Sequence, residues 1–446
     1  MGKSVSEYRG RSLVNNFTNL NRVAAEGVSV MVSGRGVFVR DDQGREYLDA
    51  ISGLWSASFG FDDPDLVAAA AEQFGRLPTY HIAADKATEP VLRLAERLCR
   101  IGPGQVTRVL FTNSGSEAND TQIKLLNYLW NWRGETSRRR FIARRGAFHG
   151  STLGAGSLSD SGESSAAFGL PVIDVPRLTA PSRFRHGYPG ETEEEFVRRL
   201  AVEFEDLVVE CGPETIAGVF LEPVMGAGGV IVPPAGYYDA MQQVAERFGV
   251  RIVADEVICG FGRLGALWGC DVFGLTPDST SCAKGLSAGY LPIGAVLVDT
   301  ALEEAMLGQS AKLGTFAHGF TGGGHPVAAA VALRTLELLE ERNLIGHAAR
   351  VGELLQNELS RLAEFPVVAD VRGVGLLAGV ELRGPHAADL VQQTVRHAAG
   401  LGLLVRGIGS AICLCPPLIM KEDEVATLVL RLGAALERLG GSDETK

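Results

Sequence analysis

The stretch RIVADEVICGFGRLGALWGCDVFGLTPDSTSCAKG, residues 251–285, decides the fold. It opens on a short apolar run that ends on Asp255 and closes on a second run, Ser279 to Ala283, followed by Lys284 and Gly285. Between them lie a glycine-rich interval and a short helix-length segment. Short strands that alternate with helical segments and carry their polar residue at the C-terminal end specify a parallel sheet with helices on both faces. Ligands bind such sheets beyond the carboxyl ends of the strands, so Asp255 and Lys284 are expected to face one crevice.

Working outward, the same pattern starts near Arg108. The further candidate strands are Val109 to Thr112, Phe141 to Ala143, Val172 to Val175, Gly218 to Glu222 and Ala295 to Val298. With the two above they make a seven-stranded, mostly parallel sheet. Segment 182–210, with acids at 191–195, reads as a loop and an exposed helix. After Pro326 a helical run reaches about Phe365, then come a strand at Ala378 to Leu382, a helix to about Gly400 and a last helix from Glu422 to Leu439. Near the N-terminus, Gly36 to Arg40 and Glu46 to Asp49 read as strands joined by a polar turn. The expected organisation is a large domain over 58–325, a small α+β domain over 326–446, and an N-terminal segment 1–57 belonging to the small lobe.

Composition excludes several function classes. The 53 acidic and 42 basic residues leave a net charge of −11, the wrong field for holding a nucleic acid. The longest uncharged stretch, Leu313 to Leu333, is interrupted by five Gly, two His and a Pro and does not read as a membrane span. Met1-Gly2 with Ser6 fits a loose myristoylation pattern but lacks a basic patch beside it. Seven Cys, with no C-x-x-C pair, suit reduced thiols in a cytoplasm and give no zinc spacing, so no metal is expected. The 55 Gly, about 12% against a typical ~7%, imply many tight turns.

Three motifs carry chemistry. Ser114-Gly115-Ser116-Glu117 follows a strand and opens a helix, with capping-box spacing between Ser114 and Glu117. Such a terminus bares backbone N–H groups that suit a phosphate. Asp255 and Lys284 supply a carboxylate and an amine to one crevice. Schiff-base chemistry needs both: the amine attacks an aldehyde, and the carboxylate keeps a pyridine nitrogen protonated. The third motif is a rival. Gly285-Leu286-Ser287-Ala288-Gly289 matches a nucleophile elbow, as in a serine hydrolase using Ser287, but it runs into Tyr290-Leu291-Pro292 where the elbow requires a helix. Gly373-Val374-Gly375 mimics a dinucleotide fingerprint, yet strand-like alternation follows it, so it reads as a turn.

These residues, together with Val253 to Arg263, Ala283 to Ser287 and Gly289 to Gly294, make the chain resemble a class III pyridoxal-phosphate aminotransferase. The likeness is to the ω-aminotransferase group of fold type I, amine:pyruvate type. Asn113 to Asn119, Phe148-His149-Gly150, Glu222-Pro223, Gly226 to Pro234, and His318 to Thr321 with Gly324-His325-Pro326 fall in that family's order.

The resemblance implies pyridoxal 5′-phosphate bound covalently to Lys284, whose amine then shuttles a proton, with Asp255 paired to the pyridine nitrogen. It implies Phe148 on one ring face and Val257 on the other. It places Ser114, Gly115 and Ser116 at the phosphate together with Thr321 from a second copy of the chain, and His149, Glu222 and Phe320 among the cofactor-binding residues. It implies a homodimer with shared active sites, or a tetramer. Arg406 matches a mobile arginine that grips a keto-acid carboxylate, and Phe17, Trp55 and Tyr80 match aromatic pocket walls. The implied reaction is ping-pong transfer of an amino group from a primary amine or ω-amino acid to pyruvate or a similar 2-oxo acid. Aminomutases, epimerases and decarboxylases that share the aspartate and lysine are the nearest alternatives. Departures from the family pattern are Asn15-Asn16 before Phe17-Thr18, Phe148 where tyrosine is frequent, and Gly322-Gly323 after Thr321.

Overall fold

The computed structural model describes residues 12–440, so the Met1-Gly2 pattern lies outside the described residues. The central sheet has seven strands in the order Arg108–Thr112, Gly294–Val298, Ser279–Cys282, Arg251–Asp255, Ile216–Leu221, Arg140–Arg144 and Arg177–Leu178. All neighbours pair in parallel except Gly294–Val298, which runs antiparallel to both strands beside it. Its reversed direction brings Ile293 and Gly294 to the end where the other strands finish, with Gly294 opposite Thr112. Strands Ile216–Leu221 and Gly294–Val298 are buried at every position, as expected for a sheet covered on both faces.

The expected strand at Val172 to Val175 is not formed; the sheet edge is Arg177–Leu178. Pro171 and Pro176 bracket the apolar run and remove donors the ladder needs, and the Val172 N–H is taken by Ser157 Oγ at 2.8 Å. The helix Glu193–Cys211 is capped by a Thr192/Glu195 box but is not an exposed one. Its Phe196, Leu200, Phe204 and Val208 repeat every four residues and are buried, each worth roughly 1.5–3 kcal/mol. The run after Pro326 breaks at Asn343, which takes a left-handed φ of 46°, into helices Pro326–Glu341 and Leu344–Ser360.

Two smaller sheets complete the chain. Val368–Val374, Leu377–Leu382, Ala411–Leu414 and Arg406–Ile408 form an antiparallel four-stranded sheet, with Gly375 in the turn of its first hairpin. Met31–Arg35, Phe38–Asp41 and Glu46–Asp49 form the other and accept Leu403–Leu404 in parallel register, Leu48 opposite Leu403. The N-terminal hairpin is therefore stitched to the C-terminal part of the chain. The first of these strands escaped the sequence reading because most of its positions are exposed, so it carries no inward alternation.

Candidate active site

A cavity of about 360 Å³ opens where the central strands end. Its lining joins segments far apart in sequence: Asn113 to Ser116, Phe148 to Gly150, Glu222, Asp255, Val257 and Lys284. Ser56, Val224, Ile258, Gly289 and Ile293 close other sides. Crossover connections make this convergence, because each strand delivers the residue that follows it to the same edge.

Asp255 is the last residue of its strand and is 4% exposed. A buried carboxylate is tolerable only when donors replace water. Here Oδ2 accepts from His149 Nδ1 at 2.8 Å and Asn119 Nδ2 at 2.7 Å, while Oδ1 accepts from the Val257 N–H at 3.1 Å. Asn119 also donates to the His149 carbonyl at 2.7 Å, and Ser159 Oγ accepts from the His149 N–H at 2.8 Å. The second ring nitrogen of His149 is buried with no partner. Asn119 was not singled out as a site residue from sequence. The available signal was its place four residues before Ile123 and seven before Leu126, on the buried face of the helix Gly115–Arg133.

Lys284 begins a tight 3₁₀ turn with a left-handed φ of 45°. Among the described residues, no hydrogen bond or salt bridge ties down its amine. Burial holds that amine below the ordinary lysine range, although the negative Asp255 pulls the other way. A lysine so placed is a ready nucleophile.

The helix Gly115–Arg133 points its N-terminus at the cavity. Ser114 Oγ accepts from the Glu117 N–H at 3.2 Å, but the Glu117 carboxylate turns to the Asn113 N–H at 2.7 Å and Asn113 Nδ2 at 2.9 Å. The capping box is thus only half formed, and Glu117 leaves the Ser114 N–H alone. Gly115 is needed for space: a Cβ there would lie 2.8 Å from both methyls of Val257. Ser116 Oγ accepts from the Ser151 N–H at 3.0 Å, binding the loop after Phe148 to this helix start.

Glu222 is 3% exposed, and burial pushes its carboxyl up to about 7. Its Oε1 accepts from the Phe148 N–H at 3.4 Å. Beneath it lies Arg144, completely buried, which donates to the Glu222 carbonyl at 2.6 Å and to Tyr238 Oη at 3.3 Å. Arg144 gave no signal in sequence, being one of several arginines in and around a strand.

The remaining candidate residues divide. Phe17 reaches the site indirectly, its ring edge-on to Phe148 at 6.0 Å, and the Arg406 guanidinium sits 5.7 Å over the Phe17 ring. Arg406 is half-buried, and its guanidinium has no ion-pair or hydrogen-bond partner among the described residues. Trp55 is buried in a cluster with Val224, against which Ile258 packs. Tyr80 is exposed and stacks on His81, Phe320 is half-buried against His318, and Thr321 is exposed. None of Phe17, Trp55, Tyr80, Phe320, Thr321 or Arg406 lines the cavity of the single chain. Ser287 does line it, but its hydroxyl, at the end of the 3₁₀ turn, donates to the Leu291 carbonyl at 2.6 Å, and no α-helix follows before the next strand. The elbow geometry of a hydrolase is absent there.

Comparison with known proteins places this arrangement. Residues 22–436 match the family model for class-III aminotransferases. A chloroplastic γ-aminobutyrate transaminase 3 of Solanum lycopersicum is 42% identical over 442 residues, 97% of this chain and 85% of that one. The ω-transaminase of Pseudomonas jessenii in complex with PMP superposes with a TM-score of 0.97 at 40% identity, covering 98% of this chain and 99% of that one. A thermostable omega transaminase variant with glycine for a tryptophan, engineered for asymmetric synthesis of enantiopure bulky amines, gives 0.96 at 40% identity over 97% and 99% of the two chains.

Proposed function

The chain belongs to the class-III aminotransferases, and from that premise we propose that it moves an amino group from a primary amine or ω-amino acid to pyruvate or a similar 2-oxo acid. The observation that carries this is one cavity shared by the Lys284 amine, the Asp255 carboxylate and the N-terminus of the helix Gly115–Arg133. Class-III aminotransferases use pyridoxal 5′-phosphate. The donor set fits that group: an untied amine for an aldehyde, a carboxylate for a pyridinium, and bare N–H groups for a phosphate. The buried, unpartnered ring nitrogen of His149 marks the same end as polar.

When bound, the cofactor supplies an aldehyde that takes up the amine and a ring that withdraws electrons from the substrate carbon. The protein does the rest. Lys284 Nζ, held below its ordinary range, is the covalent anchor and then carries the proton to and from the substrate carbon. Asp255, fixed by three donors, would keep a proton on the ring nitrogen. Ser114, Gly115 and Ser116 would hold the phosphate, Phe148 and Val257 would confine the ring, and His149 and Glu222 would complete the wall.

Arg406, half-buried without a counter-ion, is the candidate grip for a carboxylate, with Phe17, Trp55 and Tyr80 shaping the amine side. The relative whose tryptophan was exchanged for glycine was engineered for bulky amines, and Trp55 is the residue here suited to that control. Phe320 and Thr321 stand outside the single-chain cavity; in our reading a second copy brings them in, in a homodimer or a tetramer. We take 58–325 as the cofactor-binding domain and 326–446 with 1–57 as the small domain. Among the described residues no helix is long and apolar enough to cross a membrane. All seven cysteines are free thiols, which suits a reducing compartment such as the cytoplasm.

The test is a half-reaction. Purified protein given an amine donor without keto acid should convert its cofactor absorbance from the aldehyde to the amine form, and pyruvate should restore it. An unchanged spectrum with every primary amine and ω-amino acid tried would refute the reading, and racemisation of a chiral donor with the spectrum returning by itself would favour an epimerase.

A further inference from the structure

The turn between Ile51 and Ser56 is a strained piece of backbone bordering the cavity. Ser52, Gly53 and Trp55 take left-handed φ values of 51°, 65° and 63° within four residues, and two of the three carry side chains that disfavour this region. Such a turn persists only where its surroundings over-determine it. The restraints are polar and buried. Asp49, last residue of its strand, accepts from the Ile51 N–H on Oδ1 and from the Gly53 N–H on Oδ2, each at 2.9 Å. Ser52 Oγ donates to the Cys415 carbonyl at 2.6 Å, and the Trp55 N–H returns to the Ile51 carbonyl at 2.8 Å.

The change of hand from Ile51 (φ −128°, ψ 6°) to Ser52 (φ 51°) makes a turn that directs the N–H groups of Ile51 and Gly53 into one concavity, a nest for an anion. Here the chain supplies the anion itself. Asp49 is 4% exposed and forms no salt bridge among the described residues, so these N–H groups are what compensates its charge.

The turn carries the cavity wall. Ser56 lines the cavity, and Trp55 belongs to the apolar cluster of Val224 and Ile258, which also line it. On the far side Gly289 comes so close that a Cβ there would sit 2.9 Å from Ser56 Oγ. A shift of the turn therefore moves both the Trp55 support and the Ser56 surface.

We propose that Asp49 is a positioning residue for amine selection: its carboxylate, seated in the nest of the 51–53 turn, fixes Trp55 and Ser56 and thereby sets the bulk of amine the site accepts. The inference rests on the reading of Trp55 as a control of the amine pocket. Asp49→Asn is the sharp probe, because an amide presents one acceptor and one donor where two N–H groups point, at almost unchanged volume.

The experiment compares kcat/KM for a small primary amine and a bulky aryl-branched amine, with the same keto acid, in the holoenzyme and in Asp49→Asn, Trp55→Leu and the double variant. Asp49→Asn should shift the bulky-to-small ratio by about threefold or more in the direction of Trp55→Leu, and the double variant should fall short of the product of the two. Cofactor absorbance and affinity should stay as in the parent. A ratio unmoved by Asp49→Asn while Trp55→Leu moves it, or two effects that multiply fully, overturns the inference and spares the proposed function. A ratio unmoved by Trp55→Leu removes the premise about Trp55 and the inference with it. If Asp49→Asn does not fold, Ser52→Ala, which frees the turn from Cys415, should produce the same shift, and an unmoved ratio there overturns the inference equally.

Discussion

Asp255 Oδ2 accepts at 2.8 Å from Nδ1 of His149, a ring that is fully buried and whose other nitrogen has no partner. The carboxylate can only accept, so this contact assigns the ring proton to Nδ1. A second donor, Asn119 Nδ2, lies 2.7 Å from the same oxygen. The Asp255 side chain therefore cannot rotate without breaking both bonds.

Asp255→Asn tests that grip. The amide would set its own N–H₂ against one of these donors, and a neutral group no longer favours a protonated ring nitrogen. The amine half-reaction should slow by about 10²-fold or more in single-turnover absorbance. Undiminished single-turnover rates would show that the carboxylate has no part in the chemistry.

Gly115→Ala tests the phosphate seat. The added methyl would fall 2.8 Å from the Val257 methyls and push that side chain away from the helix N-terminus. Cofactor affinity should weaken about tenfold, roughly the loss of one charge-assisted hydrogen bond, while KM for the amine in saturating cofactor stays close to the parent value. Equilibrium dialysis against pyridoxal phosphate reads this directly, and an unaltered dissociation constant would move the phosphate elsewhere.

Glu256 gives a pH prediction. It is fully buried beside Asp255, accepts from the Gly269 and Cys270 N–H groups at 3.0 and 2.6 Å, and burial pushes it up to about 7. Because the folded value lies above the unfolded one of roughly 4.3, its contribution to stability is full below that value and is lost as pH rises through 7. The slope of Tm against pH between about 5 and 8 should be more negative in the parent than in Glu256→Gln. Superimposable slopes would mean that Glu256 does not titrate there.

Ser287→Ala separates the transferase from the hydrolase. The hydroxyl donates to the Leu291 carbonyl, so its loss should cost about 1 kcal/mol of stability and leave transamination within about twofold. Abolished turnover at unchanged cofactor content would revive the serine as a nucleophile.

Much of this site was readable because α/β topology puts chemistry at strand ends. Asp255 and Lys284 each close a strand-like run, and the helix start at Ser114 is written in its residues, so sheet, crevice and principal groups were legible together. What escaped depends on three-dimensional partners. Asn119 reads as a helix polar residue until Asp255 lies against it, and Arg144 as one arginine among several. The Glu117 carboxylate chooses Asn113 over the cap, a choice spacing does not encode. Left-handed φ at Ser52 and Trp55 has no compositional signal, since neither residue favours it. The edge strand moved from Val172 to Arg177 because two prolines outweighed an apolar run.

The most direct test of the account is covalent. The chain has seven lysines, and reduction of the holoenzyme with borohydride followed by peptide mapping identifies the one that carries the cofactor. The account predicts a single pyridoxyl-phosphate adduct on Lys284, absent from a Lys284→Ala variant that has also lost transamination. An adduct on another lysine, or full turnover by Lys284→Ala, would contradict it.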